Sequence, residues 1–444
     1  MKRRELMKEM VAAFRQDCKE ILDRVEEAEA GGVLSEEIEF EVRRLALRRY
    51  AVLLQRAVTL RGKEWERRPA PRCRCGAKMR MVNRMPKQVV SILGALRFER
   101  RHYYCDACGA SRWPFDEEMG IQGGWTDGAV RLVTRAGARE SFAAACTSLR
   151  ELAEIRVSRG TVRRITEAVA REVASEQEAG RLVGEESGAS FGDKNEDGDG
   201  DEADDGRSYV TMDGTMVNTL KGWREAKLGA LYDQPKALQH YAGTFEPAGT
   251  FGLMVRRHAQ GLRFGRAPEK IAGGDGAEWI WNQMRINFPT VDDEFLDFYH
   301  LGENVYRAAW ALYGDGNPNG ERWAKHKLRT AKYQGGQALV QTLERSRRKQ
   351  KKPAGRQALD DLLRYTRSHV GRMAYPDLRR RGVDIGTGPQ ESACKNVIGA
   401  RLKGCGMRWH LLNAEAMVRL RCLLYSTGSW DALWTHRQRC RNAG

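Results

Sequence analysis

Residues 208–220 read SYVTMDGTMVNTL, a run of β-branched and aromatic residues with Asp213 in its middle. Such a run predicts a strand. A carboxylate in mid-strand is expensive to bury unless it is paired or bound to a cation, although Asp213-Gly214 also suits a hairpin turn. Working outward, REAKLGALYD (224–233) and LQHYAGTF (238–245) read as strands. KIAGGDG (270–276) ends another strand on Asp275, EWIWNQMRINF (278–288) is a helix, and EFLDFYH (294–300) returns to strand. Three strands followed by strand–helix–strand is a mixed α/β order. Residues 301–384 read almost wholly helical and very basic. The chain ends in helix around ESACKNVIGARL (391–402) and NAEAMVRLRCLLYS (413–426).

Upstream of this core the pattern changes several times. Met7, Val11, Phe14, Cys18, Ile21 and Val25 step by four and three, the spacing of one apolar helix stripe. Gly31-Gly32 breaks it before a second helical pattern through Ile38, Val42, Leu45, Leu53 and Leu54. Residues 4–62 are therefore expected to pair as a helical hairpin, with a dimer-forming coiled coil as the other use of the stripe. QVVSIL and LRFERRHYY then alternate like short strands around Leu93-Gly94. Residues 125–183 are helical, and residues 185–206 carry ten acids against one Lys with no hydrophobic pattern. The expected domains are 1–68 helical, 69–116 a small β zinc ribbon, 117–183 a helical helix-turn-helix unit, 184–206 a disordered acidic linker, and 207–444 the α/β domain. The fold class is multi-domain α+β.

The 444 residues carry a net charge of +17 with a pI near 9.5. Because the acidic stretch lowers that total, the remainder is more basic still, which suits a polyanionic partner such as DNA. No run of ~18 apolar residues occurs and the start MKRRELMKEM is charged, so a soluble, cytoplasmic, nucleoid-associated protein is expected. In a reduced cytosol the two close pairs among ten cysteines favour metal ligation over disulfides.

Cys73-Arg-Cys75 and Cys105-Asp-Ala-Cys108 could bring four thiolates to one tetrahedral Zn2+, with Gly76 and Gly109 easing the turns and His102 as a substitute ligand. In SLRELAEIRVSRGTVRRITEAVARE, two short helices meet around Arg156-Val157. Ser158 is placed to cap the second, Val162, Ile165 and Val169 face inward, and Arg159, Arg163 and Arg164 face out. The pattern fits a helix-turn-helix that enters a major groove, and equally a plain helical pair with a solvated basic face. Arg345, Arg347, Arg348, Lys349, Lys351 and Lys352 suit phosphate contacts. Glu391 opens a helix, where a dipole role is sufficient by itself. Asp213, Asp275 and Glu391 together point to a two-metal site.

The stretches DGTMVNTLKGWREAKLGALY, GDGAEWIWNQMRINFP with FLDFYH, and IGTGPQESACKNVIGARLKGCGMRW resemble those of ISKra-type insertion-sequence transposases, related to the mutator-like DDE group. The resemblance runs from about the ribbon to Trp434. It implies a ribonuclease-H-like core with Asp213 on the first strand, Asp275 ending the fourth and Glu391 starting the closing helix, interrupted by a helical insertion at about 301–384. It further implies Mg2+ or Mn2+ at those carboxylates, with Asp213 shared by both ions. The activity implied is cleavage and strand transfer at insertion-sequence ends by a homodimer or higher oligomer on DNA. Lys395, Arg401, Lys403 and Arg408 follow Glu391 closely enough to neutralise phosphates there. His300 is expected to be buried and hydrogen-bonded first, and a DNA or leaving-group contact second. A domesticated DNA-binding regulator and a nuclease that cleaves without joining are the competing readings.

Overall fold

The structure, a computed structural model, describes residues 3–29, 36–191 and 206–442. Packing divides the chain into two compact units, Met1–Thr166 with Arg437–Gly444, and Glu167–His436.

In the first unit, α1 (Arg3–Glu29) and α2 (Glu36–Trp65) are joined by Arg49, whose Nε donates to the buried Asp17 carboxylate at 2.6 Å. The predicted stripe is buried only in part: Met7, Val11 and Phe14 are exposed, whereas Cys18 and Ile21 are half-buried beside the buried Asp17. Gly31-Gly32 and the Val25 side chain lie outside the described residues.

Strands β1 (Arg80–Ser91) and β2 (Gly94–Tyr104) form a long antiparallel hairpin, and β3 (Ser111–Arg112) pairs with β2. Period-2 alternation puts Val89, Leu96 and Phe98 on one buried face, and Tyr103, beyond the point where the alternation breaks, joins the same core. That face is closed by Val58 and Trp65 of α2 and by Phe115 from the short α3 (Pro114–Glu118). Trp65 meets the rings of Tyr103 and Phe115 edge-on at 6.1 and 6.4 Å. The ribbon's core thus reaches back across the expected boundary at residue 69.

Helices α4 (Asp127–Arg139), α5 (Phe142–Ala153) and α6 (Arg159–Glu178) share a small core of Val133, Ala145, Leu149, Ile155 and Val162. A Cβ on Gly137 would meet the Thr166 hydroxyl at 2.2 Å, so α4 and α6 approach closely there. The Ser158 hydroxyl accepts the Thr161 N–H at 3.2 Å, as expected of a cap. α6 is not short, running 20 residues because its apolar positions continue past Val169 to Val173.

The second unit is built on a five-stranded sheet of order β6-β5-β4-β7-β8. Its strands are β4 (Arg207–Thr219), β5 (Gly222–Asp233), β6 (Gln239–Thr244), β7 (Glu269–Gly274) and β8 (Asp293–Leu296). The β4–β5 and β5–β6 pairs are antiparallel, whereas β7 lies parallel to both β4 and β8. Helices α7 (Ala248–Gly261) and α8 (Glu278–Asn287) connect β6 through β7 to β8. Gly229 on β5 faces Val255 of α7, and Gly243 on β6 faces Val418. Since Gly229 pairs with Ala242, the residue before Gly243, these contacts lie on opposite faces, and helices cover the sheet on both sides.

Helices α9 (Phe298–Tyr313), α10 (Pro318–Gln334), α11 (Gly336–Lys349), α12 (Pro353–Ser368) and α13 (Tyr375–Arg380) fill the interval read as helical. Their Leu301, Val305, Leu339, Leu359 and Leu363 join Trp281, Met284 and Leu296 in one core. The chain then forms α14 (Gly388–Ala393), a π-helical turn at Cys394–Gly399, α15 (Ala400–Leu402), α16 (Leu411–Tyr425) and α17 (Ser429–Asn442). Part of the stretch 184–206 is ordered against the second unit's core. Glu185–Ser187 form a 3-10 turn and Phe191 is buried against Phe264, while 192–205 lie outside the described residues.

Candidate functional site

The four cysteines of the ribbon converge. Two equivalent turns present them. The Gly76 N–H donates to Cys73 C=O and the Gly109 N–H to Cys105 C=O, both at 2.9 Å. Gly76 and Gly109 have φ of +89° and +73°, which a side chain would resist. Cys73 Sγ lies 3.5 Å from Cys108 Sγ, and Cys75 Sγ lies 3.5 Å from Cys105 Sγ, with all four sulfurs within 4.8 Å of one another. Four thiolates around Zn2+ at ~2.3 Å sit ~3.8 Å apart, so this set fits a structural metal. The backbone amide of Cys75, with the Cys108 thiol, holds the Cys73 thiol down at about 7. His102 is not part of the group and stacks on Trp113 at 4.7 Å.

The carboxylates are arranged differently. Asp213 lies on the central strand, half-buried, with Oδ1 accepting the Gly214 N–H at 2.6 Å and Oδ2 3.3 Å from Cys394 Sγ. Burial raises its pKa, against hydrogen bonds from Cys394 and Gly214; nearby Asp275 raises it further and His300 lowers it. Asp275 directly follows β7, where Gly274 pairs with Met212, so both aspartates come immediately after the last pair of the parallel β4–β7 ladder, Asp213 in the middle of β4. Its Oδ1 accepts the Ala277 N–H and its carbonyl accepts Trp281 Nε1, each at 2.7 Å.

Glu391 sits in the first turn of α14 and is exposed, 2.7 Å from Lys395 Nζ one helical turn away. Among the described residues, only the cysteines form a group of three or more acidic, His or Cys side chains with ligand atoms this close. Glu391 is nonetheless tethered to the same strand as Asp213. Its neighbour Gln390 is buried, accepts the Thr211 hydroxyl at 3.0 Å and donates to Leu228 C=O at 2.8 Å, and Leu228 is the register partner of Asp213.

Several contributors have no sequence signature. Asp297 is buried and saturated. It accepts the N–H groups of Tyr299 and His300, capping α9, and both the N–H and hydroxyl of Thr387, which ties the approach to α14 to the end of β8. Arg421, fully buried on α16, donates to the carbonyls of Asn396 and Val397 within the π turn, groups that an α-helical register would otherwise occupy. The Tyr365 ring abuts the Asp275-Gly276 loop, since a Cβ on Gly276 would meet it at 2.1 Å.

The cations divide. Arg159, Arg163, Arg164, Arg345, Arg348, Lys349, Lys403 and Arg408 are exposed. Arg347 instead makes a bidentate pair with Asp360 at 2.7 and 2.8 Å. Arg401 is the larger correction. It is buried over the Trp409 ring at 5.0 Å, and burial with Arg421 nearby lowers its pKa to about 10, so it faces the interior rather than a phosphate. His300 is partly exposed, not buried, with Nδ1 3.3 Å from Glu303.

No protein-family model and no curated protein sequence matches the chain. Among solved structures, a Drosophila P element transposase strand transfer complex is similar over 72% of this chain and 82% of that chain, at 10% identity and a TM-score of 0.25. A superposition that loose carries no argument about this chain's activity.

Proposed function

We propose that the chain is a DNA transposase of the ISKra type, with a ribonuclease-H-like core that cleaves and joins insertion-sequence ends at Asp213, Asp275 and Glu391. The observation that carries this reading is the pair of aspartates just past the end of the parallel β4–β7 ladder, with Gln390 fastening the Glu391 helix to the register position of Asp213. An all-oxygen donor set suits Mg2+ or Mn2+, and the burial that disfavours ionised Asp213 is what a cation would offset. Two such ions would supply positive charge beside the attacking and leaving oxygens.

Asp213 would be held in common by the two ions, and Asp275 and Glu391 would each hold one. Glu391 must leave Lys395 and turn inward to do so. Lys395 is then free for a phosphate. In cleavage, a water oxygen bonds to phosphorus, the bond to the 3′-oxygen breaks, and the water proton passes through solvent to that oxygen. In joining, the resulting 3′-hydroxyl bonds to a target phosphorus and its proton passes to the newly released 3′-oxygen. Arg159, Arg163 and Arg164 on α6 serve the major groove, while Arg345, Arg348, Lys349, Lys403 and Arg408 meet phosphates. The cysteine cluster holds Zn2+. The exposed stripe Met7, Val11 and Phe14 supports assembly as a homodimer or higher oligomer on DNA. No described helix is long and apolar enough to cross a membrane, in keeping with a cytoplasmic, nucleoid-associated protein.

Labelled end DNA incubated with Mg2+ or Mn2+, with nicked and joined products scored separately, tests the reading. Asp213→Asn should abolish both products. Cleavage persisting in that variant would overturn it, and cleavage without joining would make the chain a nuclease.

A further inference from the structure

Strand β4 runs on past Asp213 to the tip of the β4–β5 hairpin, and that tip is apolar where a solvated hairpin would be polar. Leu220 and Trp223 are 63% and 62% exposed, and Met216 is also exposed. Trp223 pairs with Asn218 and Met216 with Glu225, so Met216 and Trp223 are diagonal neighbours on one face. The segment 403–412 lies beside this tip. The Leu220 N–H donates to Trp409 C=O at 2.9 Å, the Trp409 N–H donates to Asn218 C=O at 3.2 Å, and Lys403 Nζ donates to the Thr215 hydroxyl. Leu412, at 71% exposed, extends the apolar surface.

The tip and segment 403–412 carry Lys221, Arg224, Lys403 and Arg408, all exposed, while the carboxylate beside them, Glu225 opposite Met216, is paired with Lys227 Nζ at 2.8 Å. Cations interleaved with an exposed Trp and aliphatic side chains match a nucleic-acid strand whose bases are out of the stack, since phosphates meet the cations and base faces meet the ring. An intact duplex would use only the cations and leave the apolar side chains in water. Asn218 stands five residues from Asp213, ~17 Å along the strand, within reach of DNA flanking a bond at the carboxylates.

We propose that the tip of the β4–β5 hairpin, with segment 403–412, binds an unpaired DNA strand next to the cleavage site and stacks a base on Trp223. The position beside a cleavage site rests on the transposase reading; the binding itself does not. Fluorescence anisotropy on the full chain, without added Mg2+, should compare a forked duplex bearing short unpaired arms with a fully paired duplex of the same length. The wild-type chain should prefer the fork. Trp223→Ala should weaken fork binding about tenfold, the effect of losing one base–aromatic stack, and leave the paired duplex unchanged. Trp223→Phe should retain most of the preference. Equal wild-type affinity for the two DNAs, or equal loss on both in Trp223→Ala, would overturn the proposal. A change of oligomeric state in Trp223→Ala would overturn it in favour of a contact between copies of the chain. Because no cleavage is needed, the result stands whether or not Asp213 proves catalytic.

Discussion

The cysteine cluster and the carboxylate site both gather hard-working side chains from segments distant in sequence, yet one is convergent and the other is dispersed. Four sulfurs lie within 4.8 Å. Asp213, Asp275 and Glu391 each turn to a separate partner instead, the Gly214 N–H, the Ala277 N–H and Lys395. The physical difference lies in what fixes the side chains. At the cysteines, two glycine turns fix the directions of the sulfurs through the backbone. Ionised carboxylates repel at the same spacing, and one of the forces holding the Asp213 pKa up is its neighbour Asp275. The ribbon site is therefore preorganised by its backbone, while the proposed carboxylate site has Asp213 and Asp275 just past the parallel β4–β7 ladder and Glu391 exposed on α14.

The largest expected effect breaks or upholds that contrast at the carboxylates. Asp275→Asn and Glu391→Gln should each cost at least ~1000-fold in cleavage rate, and the double variant little more, because the ligands of one two-metal site act as a unit. An additive double variant would show that Glu391 acts apart from the aspartates.

At the cysteines the expected effect is structural. Cys105→Ser should lose bound zinc and the cooperative melting of the ribbon together with the end of α2, since Val58 and Trp65 share its core. Zinc content by metal analysis and melting by circular dichroism report this. Unchanged melting, with or without zinc, would mean that the apolar core alone holds the ribbon.

A smaller change probes the outward carboxylate. If Lys395 competes for Glu391, Lys395→Ala should lower the Mg2+ concentration for half-maximal cleavage about twofold to fivefold, the scale of an exposed ion pair. A rise in that concentration would instead assign Lys395 to the metal-bound state.

The smallest effect concerns stability. Burial raises the folded pKa of Asp213 above its unfolded value, so stability is full below the unfolded pKa and declines as pH rises through the folded one. Asp213→Asn should therefore melt about 2 °C higher than wild type at pH 7, with the gain shrinking toward pH 3. A gain independent of pH would exclude the carboxylate charge as its source.

What the sequence by itself determined is what local chemistry dictates. Paired cysteines followed by glycines announced two turns that bring sulfurs together, alternating runs announced β1 and β2, Ser158 announced the start of α6, and the basic stretch after His300 announced its helices. Each rests on side chains and backbone a few residues apart. Only the tertiary structure decided which cations meet solvent, because Arg401 and Arg347 carry the same sequence signature as Arg408 and Arg348 yet are claimed by Trp409 and Asp360. It also decided that α2 completes the ribbon, that Gln390 and Cys394 rather than Glu391 face β4, and that Arg421 caps the π turn from α16. These outcomes depend on partners from 8 to 181 positions away, and no periodicity in a single stretch records which partner will be met.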